Sequence, residues 1–365
     1  MSGLLDILCR RIALEGPLSV AQYMAEVLGH PKYGYYMGRD PFGRGGDFTT
    51  APEISQMFGE ILGLWGALVW RAMGEPEALN LVELGPGRGT LMADMLRAAR
   101  SVPGFRQAIR VHLVEISPAL RARQREALGD VPATWHDSLD QVPQGPLLVI
   151  ANEFFDALPI RQFQKVGDGW RERMVGLAAD EKGLEFQLAP AAHRPPFLSD
   201  DLADAPEGGI VETCPSGLAV VHALAERLAR FGGAALIVDY GHHRSGIGDT
   251  LQAVKGHAFH EVLADPGDAD LTAHVDFEAL GRSAAERGAA VYGPLPQGEF
   301  LLRLGLGARA AMLLQKATPQ QAADIQAAFR RLTDPDEMGS LFKFLCLTAP
   351  GLPTPPGFDE EDASR

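Results

Sequence analysis

Cysteines are scarce in this sequence and lie far apart. Cys9, Cys214 and Cys346 are the three cysteines among 365 residues, and they form no CxxC pair. Neither a disulfide framework nor a zinc ribbon or finger is therefore indicated. No apolar run is long enough to span a membrane, so we expect no membrane insertion. The 46% of hydrophobic residues is nevertheless enough to bury a sizeable core.

Positive charge is also in short supply. Lys and Arg number 33 against 47 Asp and Glu, a formal net charge of −14. Phosphate backbones are bound by clustered Lys and Arg, so this balance argues against nucleic acid as a partner. The N-terminal stretch contains Asp6 and Glu15. It therefore lacks both the uncharged core of a secretory signal and the acid-poor character of a transit peptide, and we expect a cytoplasmic protein.

From residue 79 onward, short apolar strands alternate with helices. The strands are LNLVEL, IRVHLVEI, ATWH, PLLVIAN and AALIVDY. This alternation predicts an α/β fold with a doubly wound, largely parallel sheet. Between residues 160 and 212, the segments RQFQKV, WRERMVGL and LEFQL are separated by GDG and DEKG turns. That pattern predicts an antiparallel insertion.

This organisation predicts four parts of the chain. We expect residues 1–77 to form a helical N-terminal cap with a covering loop. The ranges 78–159 and 213–350 would form the core and its C-terminal elaboration, and 160–212 the antiparallel insertion. The tail at 351–365 is rich in Pro, Asp and Glu, a composition typical of disorder.

Three glycines lie where the first of these strands meets a helix. Gly85, Gly87 and Gly89 would let the chain turn sharply and let a ligand approach main-chain N–H groups. A dinucleotide fingerprint would need another glycine at the position of Thr90, and a Walker loop would need Gly-Lys-Ser/Thr, which is absent. No pyrophosphate cradle is therefore indicated.

The spacing Glu83-x-Gly85-x-Gly87-x-Gly89 instead resembles the first motif of class I S-adenosylmethionine-dependent methyltransferases. The resemblance implies a Rossmann-like core that binds S-adenosylmethionine. It places Glu83 near the methionine amino group of the cofactor. The glycine turn, with Pro86, would pack on the ligand.

Acids also end the next two strands. The resemblance implies that Glu115, with Ile116 beside it, accepts the ribose hydroxyls, and that Asp137 and Ser138 lie where the family holds the adenine. Each acid could instead cap a following helix, which explains one such residue easily but an ordered set of three poorly.

The loop after PLLVIAN begins EFFDALPIRQF. In class I methyltransferases this loop faces the transferred methyl group, which places Asn152, Glu153 and Asp156 there, and we count Asn152 among the cofactor contacts. Carboxylates buried at a strand end require a cation or hydrogen-bond donors. A guanidinium would serve, because its planar fork matches carboxylate geometry. Asp239, at the end of AALIVDY, could line the acceptor cavity or only cap a turn.

Several motifs together resemble the MidA-like family, whose mitochondrial members are complex I assembly factors. They are ELGPGRGTL, ANEFFDALPIRQ, GHPKYGYYM, GGDFTTAPEIS and GDTLQAVKGHAFH. The resemblance covers about residues 1–350 and implies S-adenosylmethionine-dependent methylation of arginine in a protein substrate. For the mitochondrial members that substrate is a subunit of the respiratory NADH dehydrogenase.

Further site residues come from two other segments. The loop from Gly29 to Glu53 could close over the cofactor with Thr50 and Pro52 in contact, and Thr50 to Glu53 also fits a capping box. His274 in LTAHVDF faintly resembles the Thr-His-Trp loop of arginine methyltransferases and would contact the acceptor. Histidines crowd this part of the chain, but no HExxH pattern occurs, so we expect no metal.

One position departs from the arginine methyltransferase pattern. Those enzymes carry two glutamates nine residues apart; Glu153 matches the first, but the second position is Gln162. Asp156 or an acid elsewhere would have to complete the pair. Two alternatives therefore stay open. One is a methyltransferase acting on a small molecule or another side chain, and the other is an assembly chaperone that binds the cofactor without catalysis.

Overall fold

The structure is a computed structural model that describes residues 3–37, 49–180, 182–192, 195, 202 and 205–363. Its helices are α1 (Gly3–Glu15), α2 (Val20–Gly29), α3 (Ala51–Ile54), α4 (Gln56–Ala72), α5 (Thr90–Ala99), α6 (Pro103–Ala108), α7 (Pro118–Leu128), α8 (Pro215–Phe231), α9 (Phe277–Ala285), α10 (Gln297–Arg303), α11 (Leu306–Leu314) and α12 (Pro319–Thr333). Its strands are β1 (Leu18–Ser19), β2 (Leu79–Leu84), β3 (Ile109–Val114), β4 (Ala133–His136), β5 (Leu147–Asn152), β6 (Arg161–Val166), β7 (Gly169–Leu177), β8 (Leu184–Ala192), β9 (Ile210–Thr213), β10 (Gly233–His242), β11 (Gln252–Lys255), β12 (Ala258–His260), β13 (Asp270–Thr272), β14 (Val275–Asp276), β15 (Ala290–Pro296) and β16 (Phe342–Thr348). The middle of the predicted covering loop, residues 38–48, lies outside the described residues.

One compact unit comprises Thr49–Phe155, Val220–His243 and Phe277–Arg365. Its strands form a sheet in the order β15-β16-β10-β5-β2-β3-β4. The run from β10 to β4 is parallel, whereas β16 pairs antiparallel with both β10 and β15. Every residue of β5 is buried, as expected for a parallel strand covered on both faces. The predicted doubly wound parallel sheet is confirmed.

The other unit comprises Met1–Phe48, Asp156–Ala219 and Arg244–Asp276. β1, β7, β6 and β9 pair in that order, β8 also pairs with β7, and all these pairs are antiparallel. The predicted antiparallel insertion is therefore confirmed. The segment Arg244–Asp276 belongs to the same unit as the N-terminal helices. The sequence had instead predicted that this segment is part of the core. Among the described residues, no helix has the length and apolar character needed to cross a bilayer.

The C-terminal tail packs against the sheet unit, so the disorder predicted for residues 351–365 is wrong for the part that the structure describes. Phe358 is 8% exposed, and its ring centroid lies 5.2 Å from that of Phe300. The indole N–H of Trp65 donates to the carbonyl of Pro356 (N···O 3.1 Å). The composition of the tail is polar on average, and an average over the tail does not reveal that one aromatic ring is buried.

The substitution Phe358→Ala tests this anchor. Removal of the ring leaves a cavity against Phe300, so we expect the free energy of unfolding to fall by about 3 kcal/mol. Urea denaturation measures the change. The control is Phe259→Ala, whose ring is 83% exposed and should alter stability by no more than about 0.5 kcal/mol. Equal effects of the two substitutions would contradict the anchoring role.

Candidate active site

The predicted site residues Glu83 and Asn152 lie in neighbouring strands of the parallel sheet. Glu83 in β2 pairs with Leu113 in β3 and with Ile150 in β5. Asn152, the last residue of β5, pairs with Val238 in β10. Because parallel strands all end at the same edge, the connections that leave these four strands meet there, which is where open α/β sheets bind ligands.

The turn after β2 has the backbone that its glycines were predicted to allow. Gly85, Gly87 and Gly89 have φ values of 61°, 51° and 84°, in the left-handed region that side chains disfavour. The N–H of Gly89 donates to the carbonyl of Pro86 (N···O 2.7 Å), which closes the turn before α5. A Cβ atom at Gly85 would lie 2.8 Å from the ring of Phe154. Glycine therefore lets the loop after β5 approach the turn closely.

Glu83 carries a buried carboxylate at the start of this turn. It is 3% exposed, and burial, with a smaller effect from the Glu115 carboxylate, raises its pKa to about 8 against an opposing hydrogen bond from the backbone of Met92. Its Oε2 has no hydrogen-bond partner among the described residues. An ammonium group would satisfy this oxygen and stabilise the charged form. The residue thus fits the methionine end of S-adenosylmethionine, and its contact with the cofactor stays a prediction.

Glu115 follows β3 and is held on both carboxylate oxygens. Oε1 accepts from the N–H of Ser117 (2.8 Å), and Oε2 accepts from the side-chain amide of Gln124 (3.2 Å). Burial is the main cause of its raised pKa. The backbone N–H of Ile116 also donates to this carboxylate, and a carboxylate has about four acceptor sites, so a further donor such as a ribose hydroxyl can still bind. The neighbouring Ile116 is 56% exposed and offers apolar surface to a flat heteroaromatic ring.

The two residues predicted beside the adenine are exposed to solvent. Asp137 and Ser138 follow β4 and both are exposed. The carboxylate of Asp137 accepts a hydrogen bond from the guanidinium of Arg121 (2.6 Å), so a surface ion pair accounts for its position. The contact of these two residues with adenine stays a prediction.

Glu153 begins the loop after β5 in a strained backbone conformation. Its φ is 49°, a left-handed value that costs a non-glycine residue about 1–2 kcal/mol. Its N–H donates to the carbonyl of Val238 (2.9 Å). Its Oε1 accepts from the N–H of Ala51 (3.1 Å) and from the amide of Asn152 (3.2 Å). Strain of this kind persists only where surrounding structure imposes it, and it concentrates at functional sites.

The hydrogen bond from Ala51 brings the predicted covering residues to this loop. Thr50 and Pro52 flank Ala51 and are buried. Within the described residues the Thr50 hydroxyl makes no capping bond, so the predicted capping box is wrong. The carboxylate of Glu53 instead accepts from the hydroxyl of Thr90 (2.5 Å), which ties α3 to the helix that follows the glycine turn. Contacts of Thr50 and Pro52 with the cofactor stay a prediction.

Asp239, at the carboxyl half of β10, holds the Glu153 loop from the neighbouring strand. It is fully buried, and its Oδ2 accepts from the N–H groups of Phe154 (3.2 Å) and Phe155 (2.9 Å). A carboxylate that accepts two backbone bonds fixes the turn just after the strained residue. Of the two roles considered from the sequence, the structure shows the turn-capping one.

Asp156 and His274 belong to the other unit, where backbone bonds bring their segments together. Asp156 is 6% exposed, and its carbonyl accepts from the N–H of Ala273 (3.0 Å). The N–H of His274 donates to the hydroxyl of Thr250 (2.9 Å). The backbone of Asp156 is thus hydrogen-bonded to Ala273, the residue before His274. The role of Asp156 and His274 at the acceptor stays a prediction.

Gln162, at the position of the missing second glutamate, is fully buried in the same unit. Its amide nitrogen donates to Glu212 (2.7 Å) and to Asp249 (2.8 Å), and its oxygen accepts from Arg173 (3.1 Å). Both N–H bonds of the amide are therefore committed to this network.

The sheet order, the glycine turn and the acids at successive strand ends define a class I methyltransferase. Residues 61–295 match the family described as "Putative S-adenosyl-L-methionine-dependent methyltransferase". The chain belongs to that family, so the predicted use of S-adenosylmethionine is confirmed.

Similar proteins cover almost the whole chain. Protein arginine methyltransferase NDUFAF7, mitochondrial, of Danio rerio is 41% identical in an alignment 367 residues long that covers 94% of this chain and 86% of the relative. The Homo sapiens protein of the same name is 39% identical over 95% of this chain and 83% of the relative. A crystal structure of a "likely methyl transferase from Burkholderia thailandensis bound to S-adenosyl-homocysteine" has a TM-score of 0.86 and 31% identity over 99% of this chain and 95% of that chain. The expected cytoplasmic location is wrong, because the named relatives are mitochondrial proteins.

The substitution Glu83→Gln removes a buried ionisable group and should change the pH dependence of stability. The pKa of Glu83 rises from 4.5 to about 8 on folding, so between these values the folded protein holds a proton that the unfolded chain has released. The free energy of unfolding therefore falls as pH rises through this window. We expect a shallower fall in Glu83→Gln, measured by urea denaturation from pH 5 to pH 8.5. Identical pH profiles of the two proteins would contradict the raised pKa of Glu83.

The same variant tests the cofactor contact. Loss of a charge-assisted hydrogen bond to the ammonium group should weaken binding of S-adenosylhomocysteine about 10- to 100-fold at pH 8, as measured by titration calorimetry. Glu126→Gln, at an exposed position, is the matched control and should bind normally. Unchanged affinity in Glu83→Gln would exclude the contact.

The substitution Asp239→Asn tests the support of the strained loop. An amide can present only one accepting oxygen, so one of the backbone N–H groups now bonded to Asp239 would face another donor. We expect the free energy of unfolding to fall by about 1–3 kcal/mol, measured by urea denaturation. Asp130→Asn, at an exposed position, should leave it unchanged. A loss of stability common to both variants would argue against this role.

Proposed function

We propose that this methyltransferase transfers the methyl group to arginine in a protein substrate. The observation that carries the proposal is the carboxylate of Glu153, which a strained backbone and a bond from Ala51 hold at the end of β5. The names of the relatives, protein arginine methyltransferases at about 40% identity, support it. We further propose, from the family resemblance, that the substrate is a subunit of the respiratory NADH dehydrogenase.

The mechanism has to activate a group that stays protonated at neutral pH. Glu153 would accept hydrogen bonds from the guanidinium nitrogens that do not react, drawing the positive charge towards them. The remaining nitrogen then regains lone-pair character and attacks in line with the carbon–sulfur bond. S-adenosylmethionine supplies the methyl group as a sulfonium. As the N–C bond forms, the C–S electron pair returns to sulfur and the nitrogen releases a proton to solvent. Alignment and electrostatic positioning supply most of the acceleration.

The acceptor pair cannot be completed by Gln162, whose amide hydrogens serve Glu212 and Asp249. Asp156 and His274 stay our proposed further contacts with the acceptor. A carboxylate from Asp156 would accept from guanidinium N–H groups that Glu153 leaves free, since a guanidinium has five N–H donors and one bidentate carboxylate accepts from two of them.

The substitution Glu153→Gln tests the proposal without changing side-chain shape. A lysate of cells that lack this protein is incubated with purified enzyme and tritiated-methyl S-adenosylmethionine, and labelled protein is hydrolysed to identify methylarginines. We expect label in methylarginine with the wild type and at least about a 100-fold loss with Glu153→Gln. Binding of S-adenosylhomocysteine should change far less, since this carboxylate serves the acceptor.

The control for this assay is Glu226→Gln, whose side chain is 60% exposed and which should retain full transfer. Label in small solutes would instead support a small-molecule methyltransferase. Cofactor binding without label in either fraction would support the non-catalytic assembly role. Full methylarginine formation by Glu153→Gln would refute the proposed charge-localising step.

A further inference from the structure

A buried glutamine on α7 connects the two parts of the predicted cofactor site. Gln124 is 0% exposed, although its neighbours Arg123 and Arg125 are exposed. An amide without access to water has to find partners for its oxygen and its nitrogen within the protein. The partners of this amide decide what the residue does.

The side chain of Gln124 makes three hydrogen bonds. Its nitrogen donates to the carbonyl of Gly87 (2.8 Å) and to Oε2 of Glu115 (3.2 Å), and its oxygen accepts from the indole N–H of Trp135 (2.8 Å). Amide orientation is normally an assignment, but here chemistry fixes it, because an indole N–H can only donate. The nitrogen must therefore face the carbonyl and the carboxylate.

These bonds join elements that approach the ligand from two strands. Gly87 belongs to the turn after β2, and Glu115 is the acid after β3, where doubly wound sheets place the group that binds ribose hydroxyls. The backbone of Gln124 is also close to the turn, since a Cβ atom at Gly89 would lie 3.2 Å from its Cα. Trp135, in β4, donates its indole N–H to the amide oxygen of Gln124 and so fixes the other end of the amide group.

We infer that Gln124 is a positioning residue for S-adenosylmethionine, which fixes the glycine turn and the Glu115 carboxylate relative to each other. Gln124 donates to Oε2 of Glu115 and the N–H of Ser117 donates to Oε1, so the carboxylate is fixed in one orientation for accepting a bond from a ribose hydroxyl. This inference concerns cofactor binding and does not depend on the identity of the methyl acceptor.

Two substitutions separate positioning from simple packing. Gln124→Met keeps the volume but can neither donate nor accept these bonds. Gln124→Glu keeps the shape and the bond from Trp135, but it replaces both donations with a carboxylate beside Glu115, where like charges repel. The matched control is Gln297→Met, because Gln297 is equally buried and its amide donates to the carbonyl of Leu332 (3.0 Å).

The experiment is titration calorimetry with S-adenosylhomocysteine and its 2′-deoxyribose analogue, with melting temperatures recorded in parallel. We expect Gln124→Met to weaken binding of S-adenosylhomocysteine about tenfold or more and to reduce the preference for the ribose form. Gln297→Met should lower the melting temperature yet bind both ligands within about twofold of the wild type. Gln124→Glu should regain affinity relative to the wild type as pH falls, because one proton shared with Glu115 restores a hydrogen bond.

Three outcomes would overturn the inference. They are wild-type affinity in Gln124→Met, an equal loss of affinity in Gln297→Met, and an unchanged preference between the two ligands in Gln124→Met. Because the readout is binding of the demethylated product, failure here leaves the arginine assay unaffected. Failure of that assay likewise leaves this result intact.

Discussion

Buried negative charge at the carboxyl edge of the parallel sheet is the constraint that shapes this site. A carboxylate removed from water destabilises the fold unless donors surround it. Asp239 and Glu115 meet this requirement with backbone N–H groups and with the amide of Gln124. Glu83 retains one oxygen without a partner among the described residues. The carboxylates of Asp239 and Glu115 thus fix the loops at this edge, and the Glu83 oxygen that lacks a partner favours a ligand that carries a cation.

The same edge uses left-handed backbone in two ways. Gly85, Gly87 and Gly89 adopt it at little steric cost, which suits a turn whose main chain packs on a ligand. Glu153 adopts it with a side chain, so the chain bears strain there. A glycine would relieve that strain but would remove the carboxylate. Asp239 accepts hydrogen bonds from the N–H groups of Phe154 and Phe155, which follow Glu153, and these bonds hold the strained backbone in place. The fold thus tolerates a less stable backbone at the position where a charged side chain is required.

Parts of the fold and site were predictable because they follow from local patterns. Alternating strands and helices imply a parallel sheet, and a parallel sheet places its strand-end acids, such as Glu83 and Glu115, at one edge. Gln124 was missed, because one polar residue between exposed arginines on a helix resembles a solvated position. Its partners Gly87 and Trp135 are also distant in the chain. The anchor Phe358 was missed for a related reason, since its burial depends on tertiary packing that the composition of the tail does not report.

The neighbouring carboxylates explain why position 162 carries a glutamine and not a glutamate, and this explanation also bears on the proposed acceptor site. Gln162 lies between the carboxylates of Glu212 and Asp249, and donates one N–H bond to each. A glutamate there would bring three carboxylates together, with the guanidinium of Arg173 as the nearby cation, and repulsion would oppose it. Glu212 in turn accepts from the Thr250 hydroxyl, whose oxygen accepts the N–H of His274. The neutral amide therefore supports the segment that contains His274, and a second carboxylate for the proposed arginine acceptor would come from a position other than 162.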